Sequence, residues 1–247
     1  MVSIVVPVYN AERFLRETIA CIQRQTYTNW ELLLVDDCST DGSRELIREF
    51  EVKDNRIHLL CAPQNQGAAR SRNQGVMASK GQYLCYLDAD DVWMEEKLSK
   101  EIDFIQKKDA AFIFSGYEFA DEKAVGLGKI VKVPETITYR QALKNTTIFT
   151  STVMFDMTKL SKDMVTMPVV ASEDTATWWK ILKTGITAYG LNENLVLYRR
   201  STNTLSSNKW IAIKRIWNLY RKQEQLPLIP SMYYFICWAK GAVLRRI

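Results

Sequence analysis

Histidine is almost missing from this chain: His58 is the only one in 247 residues. It sits in the apolar run Ile57–Cys61, which reads as a strand, so a Ser-His-Asp or Cys-His catalytic group lacks its base. Cysteine is scattered. Cys21, Cys38, Cys61, Cys85 and Cys237 are odd in number and none forms a CxxC pair. That excludes a Cys/His zinc site and reads as reduced thiols in a cytosolic protein. No Gly-x-Gly-x-x-Gly follows the first strand-like run, which disfavours a dinucleotide-dependent dehydrogenase. There is no low-complexity tract and no repeat at a solenoid period. Apolar runs are too short to cross a bilayer, which takes about 20 residues. The first ten residues have no basic region and no small-residue cleavage site, so they read as a buried strand rather than a signal peptide.

What is present is a hydrophobic fraction of 47%, enough for a sizeable core. The net charge of +5 is unevenly placed. Residues 208–247 carry eight basic side chains against one acid, Glu224, for a net +7, leaving the body at −2. Such asymmetry marks a tail that meets an anionic surface. Trp210, Ile213, Trp217 and Tyr220 fall on one helical stripe, with Lys214, Asn218, Arg221 and Lys222 on another. That pattern suits an anionic bilayer; the alternative is a helix packed on the body or in a dimer.

The first half alternates strand and helix. Strands are predicted at Val2–Val8, Glu31–Val35, Ile57–Cys61, Gln82–Leu87 and Ala111–Phe114. Helices are predicted at Glu12–Gln25, from an N-cap between Ser39 and Ser43 through about Phe50, at Gly67–Ser79 and from Glu95 to about Lys107. This alternation implies a parallel sheet with helices on both faces, whose ligands bind beyond the carboxyl ends of the strands. Tyr9-Asn10, Asp36-Asp37 and Asp88–Asp91 stand at those ends. The second half is less regular, with strands at Ile148–Phe155 and Leu195–Tyr198 and a helix at Asp174–Lys183 closed by Gly185.

The sharpest feature is Leu87-Asp88-Ala89-Asp90-Asp91, three carboxylates directly after an apolar strand. Unpaired burial would cost several kcal/mol, so they face a cleft, a cation or basic partners. Carboxylates one residue apart can hold a hard divalent cation that leaves positions open for substrate phosphates.

Four segments together resemble family 2 glycosyltransferases. They are Val5-Val6-Pro7-Val8-Tyr9-Asn10, then Leu34 to Gly42, then Asn65-Gln66-Gly67 with Ala69 to Gly75, then Leu87 to Asp91. Glu173-Asp174 with Trp178-Trp179 resembles the family's later motif, and the resemblance covers about residues 1–207. It implies an α/β GT-A fold with a mostly parallel central sheet, to which the C-terminal helical tail read above from charge and spacing is added. Residues 1–92 would form the nucleotide-binding half and 93–207 the acceptor half, followed by the tail 208–247. The implied activity is inverting transfer of a sugar from a nucleotide-sugar, a UDP-sugar by preference, to a hydroxyl of a glycan or lipid-linked saccharide in cell-surface polysaccharide synthesis. The implied cofactor is Mn2+ or Mg2+. Expected partners are the donor, the saccharide acceptor and an anionic membrane surface, with no nucleic acid; the expected place is the inner face of the cell membrane.

By the same resemblance, Pro7 and Tyr9 mark the uracil-stacking turn and Asp37 accepts the base N–H, while Asp36 does structural work. Arg72 reaches the nucleotide, although Arg70 could serve instead. Asp88 lies near the ribose, Asp90 coordinates the metal, and Asp174 is the general base. Trp178 either stacks on the acceptor or belongs to the core. The later loop, at Tyr198-Arg199-Arg200 and Ser206-Ser207, lacks the family's frequent histidine, which puts a ligand from there in doubt. Two rivals remain: a haloacid-dehalogenase-like phosphatase with Asp88 as nucleophile, whose motif usually opens the fold, and a nucleotide-sugar-binding pseudoenzyme.

Overall fold

A computed structural model describes residues 1–200 and 209–244. Its first half runs β1 (Val2–Val8), α1 (Glu12–Gln23), β2 (Trp30–Asp36), α2 (Ser43–Lys53), β3 (Ile57–Cys61), α3 (Ala68–Ala78), β4 (Tyr83–Tyr86), β5 (Val92–Trp93) and α4 (Lys97–Lys107). The second half runs β6 (Phe112–Ala120), β7 (Gly126–Val131), β8 (Thr136–Ile137), α5 (Tyr139–Ala142), β9 (Val153–Asp156), α6 (Lys162–Val165), α7 (Glu173–Lys183) and β10 (Ala188–Arg199). The tail follows as α8 (Lys209–Asn218), a π-helical turn Leu219–Gln223 and α9 (Leu228–Leu244).

The sheet forms because β1, β2 and β4 are apolar on both faces and can be covered twice. Its order is β3-β2-β1-β4-β9-β6-β10-β5, with β7 paired to β6 and β8 to β10. Alternate residues of β1 enter different cores. Val5 joins one with α3, α7 and the tail, whereas Ile4 and Val6 join the other with α1 and α4. Helix α3 lies close on the sheet because position 75 has no side chain; a Cβ there would stand 2.4 Å from Val5 Cγ1.

From β3 to β4 all pairing is parallel, as the alternating pattern requires. Beyond β4 the sheet is mixed. β9 pairs antiparallel to both β4 and β6, and β10 runs parallel to β6. The first part of the expected Ile148–Phe155 strand is instead a 3-10 turn, Thr150–Thr152, buried at the rim. β10 is 12 residues long rather than a short strand, with register shifts between Leu191 and Val196 that break its alternation. The rim receives the carboxyl ends of β1, β2, β4 and β6. It also receives the amino end of the reversed β9.

The tail splits the expected stripe. Tyr220 is fully buried and stacks on Trp179 at 5.2 Å, while Ile216 and Leu219 are buried beside it. Trp217 packs edge-on against Phe235 of α9, and Trp210 is 80% exposed. The single lipid-facing aromatic stripe read from the sequence is therefore not continuous: its C-terminal end anchors the tail to the body. Stacking of this kind adds about 1 kcal/mol beyond area burial. Among the described residues no helix is long and apolar enough to cross a membrane.

Candidate active site

The loop after β1 and the loop after β2 are laced together at the rim. Asn10, in left-handed backbone at φ 49°, accepts the Thr40 amide at 2.8 Å, and its own amide donates to Ser39 Oγ at 3.0 Å. Tyr9 is left 53% exposed above the turn. Asp36 points inward, where Arg44 grips one oxygen through Nε (2.9 Å) and a terminal nitrogen (2.6 Å). Its other oxygen accepts the Ser39 amide at 3.1 Å, so Asp36 does hold structure, as the sequence suggested.

Asp37 is equally buried but is held by backbone alone. The amides of Gln66 and Gly67 donate one to each of its oxygens, both at 2.8 Å. This needs Gly67, whose φ of 85° and ψ of 161° lie in a region essentially closed to side chains. Hydrogen bonds to a charged acceptor contribute about 1.5–3 kcal/mol each, so the carboxylate is fixed while lone pairs remain for a ligand donor.

The Asp88–Asp91 loop is pinned from three directions. Thr18 Oγ1 of α1 donates to the carbonyl of Ala89 at 2.8 Å and to that of Asp91 at 3.1 Å. Ser151 Oγ accepts the Asp88 amide at 3.1 Å and donates to the Asp91 carboxyl at 2.6 Å. The Arg199 amide donates to the other Asp91 oxygen at 3.2 Å. Asp91 is wholly buried, and burial together with Asp88 and Asp90 pushes its carboxyl well above the usual range. It is an internal strut of the loop.

Arg72, not Arg70, reaches this site; Arg70 is exposed on the outer face of α3. Arg72 is 6% exposed, and its guanidinium lies 2.6 Å from Asp88 and 3.1 Å from Glu173 at the start of α7. Burial opposes its charge, but Asp88 and Glu173 more than offset that and its pKa lies above the ordinary arginine value. It ties the end of β4 to the first turn of α7. Sequence reasoning missed both Glu173 as its partner and Ser151; the adjacency of Glu173 to Asp174 was the only available signal.

An open hollow of about 450 Å³ collects these groups, with Pro7, Tyr9, Asp37, Arg72, Asp88 and Asp90 in its walls. Asp90 is half-buried, and apart from its own amide no donor among the described residues reaches its carboxylate. Burial and the neighbouring Asp88 push it up to about 6. No group of three His, Cys, Asp or Glu among the described residues could hold a metal by protein alone. One carboxylate completed by substrate phosphates is, however, an arrangement Mg2+ accepts readily, and Asp90 fits it.

Asp174 lies beside this hollow rather than in its walls, within electrostatic reach of Arg72 and Asp88. Thr150 Oγ1 donates to its Oδ2 at 3.3 Å and the Thr175 amide to its Oδ1 at 2.6 Å. Burial raises its pKa, the Thr175 amide lowers it, and the net shift is upward. The preceding Ser172 adopts left-handed backbone at φ 61°, a strained entry to α7 that aims the first turn at the rim. Trp178, one turn on, is 2% exposed among Tyr86, Phe112 and Phe155, with ring centroids 5.6–6.3 Å away. Of the two readings of Trp178, the acceptor-stacking one is corrected and the core one holds: its position faces the sheet, and its ring is core. The expected loop residues Ser206 and Ser207 lie outside the described residues.

The model of the family described as Glycosyl transferase family 2 matches residues 3–165. A glycosyltransferase of Bacillus subtilis named for teichuronic acid biosynthesis, TuaG, is 40% identical over 100% of this chain and 98% of its own length. WfgD of Escherichia coli, named as a UDP-Glc:alpha-D-GlcNAc-diphosphoundecaprenol beta-1,3-glucosyltransferase, is 37% identical over 96% of this chain and 91% of its own. Among solved structures, TarS residues 1–349 of S. aureus in complex with UDP-GlcNAc superposes with a TM-score of 0.71 at 18% identity, covering 96% of this chain and 71% of that one. The mannosyltransferase PcManGT of Pyrobaculum calidifontis, in complex with GDP-Man and Mn2+, gives 0.70 at 17% identity, covering 98% and 73%. At such identities these two establish the GT-A fold alone.

Proposed function

The chain belongs to glycosyltransferase family 2, and from that premise we propose that it is an inverting transferase that moves a sugar from a UDP-sugar to a hydroxyl of a lipid-linked saccharide during cell-surface polysaccharide synthesis. The observation that carries this is the convergence of Tyr9, Asp37, Arg72, Asp88 and Asp90 on one hollow with Asp174 at its edge. The uridine and the diphosphate-lipid acceptor follow the names of the E. coli relatives.

The exposed ring of Tyr9 stacks on the uracil, and Asp37 accepts the base N–H with the lone pairs its amides leave free. Asp88, steadied by Arg72, takes a ribose hydroxyl. Asp90, with the donor phosphates, would hold Mn2+ or Mg2+, which when bound would neutralise charge on the departing diphosphate. Asp174 removes the proton from the acceptor hydroxyl as its oxygen attacks the anomeric carbon. The bond from that carbon to the UDP oxygen breaks on the opposite face, its electron pair leaves with UDP, and the configuration inverts. The raised pKa of Asp174 makes it a stronger base than an ordinary carboxylate. An aspartyl-phosphate mechanism is less favoured because Arg72 already clamps Asp88.

The enzyme works at the inner membrane face. Ile229, Met232, Tyr233 and Ile236 form an exposed stripe on α9, with Lys240 on the same side. Apolar stripe and basic flank together suit an anionic bilayer.

The deciding experiment is UDP release from UDP-sugars with a lipid-linked saccharide acceptor, with and without Mn2+. Manganese-stimulated transfer that Asp90→Asn abolishes is expected. Tight UDP binding with no turnover on any UDP-sugar would make the chain a binding module instead. Sedimentation with anionic vesicles, weakened by salt and by charge placed at Ile229 and Ile236, tests the membrane assignment.

A further inference from the structure

Helix α3 rests on β1 and β2 through Gly75, with the side chains of Val5 and Val35 against it. One helical turn back towards the start of α3 stands Ser71, and two residues on along the two strands stand Pro7 and Asp37. α3 links strands that run the same way, so it returns against them. Ser71, Pro7 and Asp37 therefore meet at the rim, and all three line the hollow. Ser71 is also tied to the turn that holds Asp37. Its amide donates to the Gly67 carbonyl at 3.1 Å, and the Gly67 amide donates to Asp37 at 2.8 Å.

The Ser71 hydroxyl has no task inside the protein. Ser71 is fully buried, yet its Oγ has no hydrogen-bond partner among the described residues. A helical serine can turn its hydroxyl to the carbonyl one turn back, and this one does not. A buried hydroxyl left idle costs stability, and a ligand that brings an acceptor to it removes that cost. Arg72, next in the chain, is committed to Asp88 and Glu173, which leaves the hydroxyl as a donor beside Asp37.

Asp37 and Ser71 thus form a pair of opposite sense: a fixed carboxylate that accepts and a hydroxyl that donates. The edge that matches them is a carbonyl beside an N–H. Uracil has that edge, with a carbonyl on either side of its imide N–H. Cytosine lacks it, because its ring nitrogen would turn a lone pair towards Asp37. We propose that Ser71 Oγ donates to the base carbonyl next to the N–H that Asp37 accepts, which makes Ser71 a specificity-determining residue for the donor. The inference rests on the UDP-sugar reading above and adds the group that reads the base carbonyl.

The test is calorimetric titration of the full chain and of Ser71→Ala with UDP, 2-thio-UDP and 4-thio-UDP, each with Mn2+. Sulfur accepts a hydrogen bond more weakly than oxygen. Ser71→Ala should bind UDP about five- to ten-fold more weakly. One thio analogue should bind the wild-type chain as weakly and lose nothing further in the variant, because the same bond is already gone. The other should lose affinity in the variant as UDP does. Without ligand, the variant should melt no lower than the wild-type chain, since it gives up no internal bond. Equal UDP affinity in the two chains, an equal loss on all three ligands, or a lower melting temperature in the variant overturns the inference. A wild-type chain that binds none of the three ligands sinks the donor reading instead.

Discussion

The two sides of the rim use carboxylates in opposite ways. In one group, Asp36 is gripped by Arg44, Asp37 by two amides and Asp88 by Arg72. In the other, Asp174 has one long hydroxyl contact and one amide, and Asp90 faces the open hollow. Both of these are pushed upward by burial without a cation close enough to cancel it. Fully partnered acids fix the shape of the loops. Under-partnered acids keep a high proton affinity, which costs stability and suits the base and cation-ligand roles proposed for them.

The contrast is broken most sharply at Asp174. Asp174→Asn should lower kcat by roughly 100- to 10,000-fold, read as initial-rate UDP release, with UDP affinity retained. A carboxyl whose folded pKa is raised weakens the fold as pH rises through that pKa. The same variant should therefore be the more stable protein at neutral pH and lose that advantage below the unfolded value of 3.8. Next in size is a pair far from the rim that obeys the same rule. Lys97 and Glu101 are both fully buried, 2.5 Å apart. Lys97→Met strands Glu101 and should cost about 3–5 kcal/mol in denaturant unfolding, whereas Lys97→Met with Glu101→Leu should recover most of it.

Ser151→Ala removes the hydroxyl shared by the Asp88 amide and the Asp91 carboxyl. It should cost about 1–3 kcal/mol of stability and loosen the loop enough to lower transfer as well. For the wild-type enzyme, the acid limb of kcat/KM should lie above the ordinary carboxylate value of 3.8, because Asp174 must be deprotonated to act. The smallest effect belongs to an acid paired outside the site. Arg56 holds Asp54 down to about 2, so its contribution is present above 3.8 and fades as pH falls towards 2. Asp54→Asn should flatten that part of the stability profile.

The first half was legible because its physics is local. Runs such as Val2–Val8 are covered on both faces, and the acids directly follow their strands in the chain. The second half depends on contacts between distant residues. Ser151 reaches Asp91 from 60 positions away, and Arg72 reaches Glu173 from 101. No periodicity announces such partners. Trp178 was ambiguous for a related reason: helical spacing places it on a face of α7, but only the packed sheet decides that this face is inward. β7 escaped notice because it is largely exposed and pairs along one edge of β6. The tail's stripe looked continuous because spacing alone cannot register the π-helical turn at Leu219–Gln223, where Tyr220 turns into the core.

The reversed direction of β9 has a consequence of its own. The other strands near the site deliver their last residues to the rim, followed by loops that must rejoin a helix at fixed geometry. β9 delivers its first residues, so what reaches the site is the final stretch of a connection entering from outside the sheet. Within the segment 138–149, Ala142, Leu143 and Ile148 are buried in the core, so changes of composition fall on its exposed positions, such as Arg140 and Gln141. On the reading proposed above, acceptor preference changes through those exposed positions of the approach while the sheet that holds the donor stays as it is.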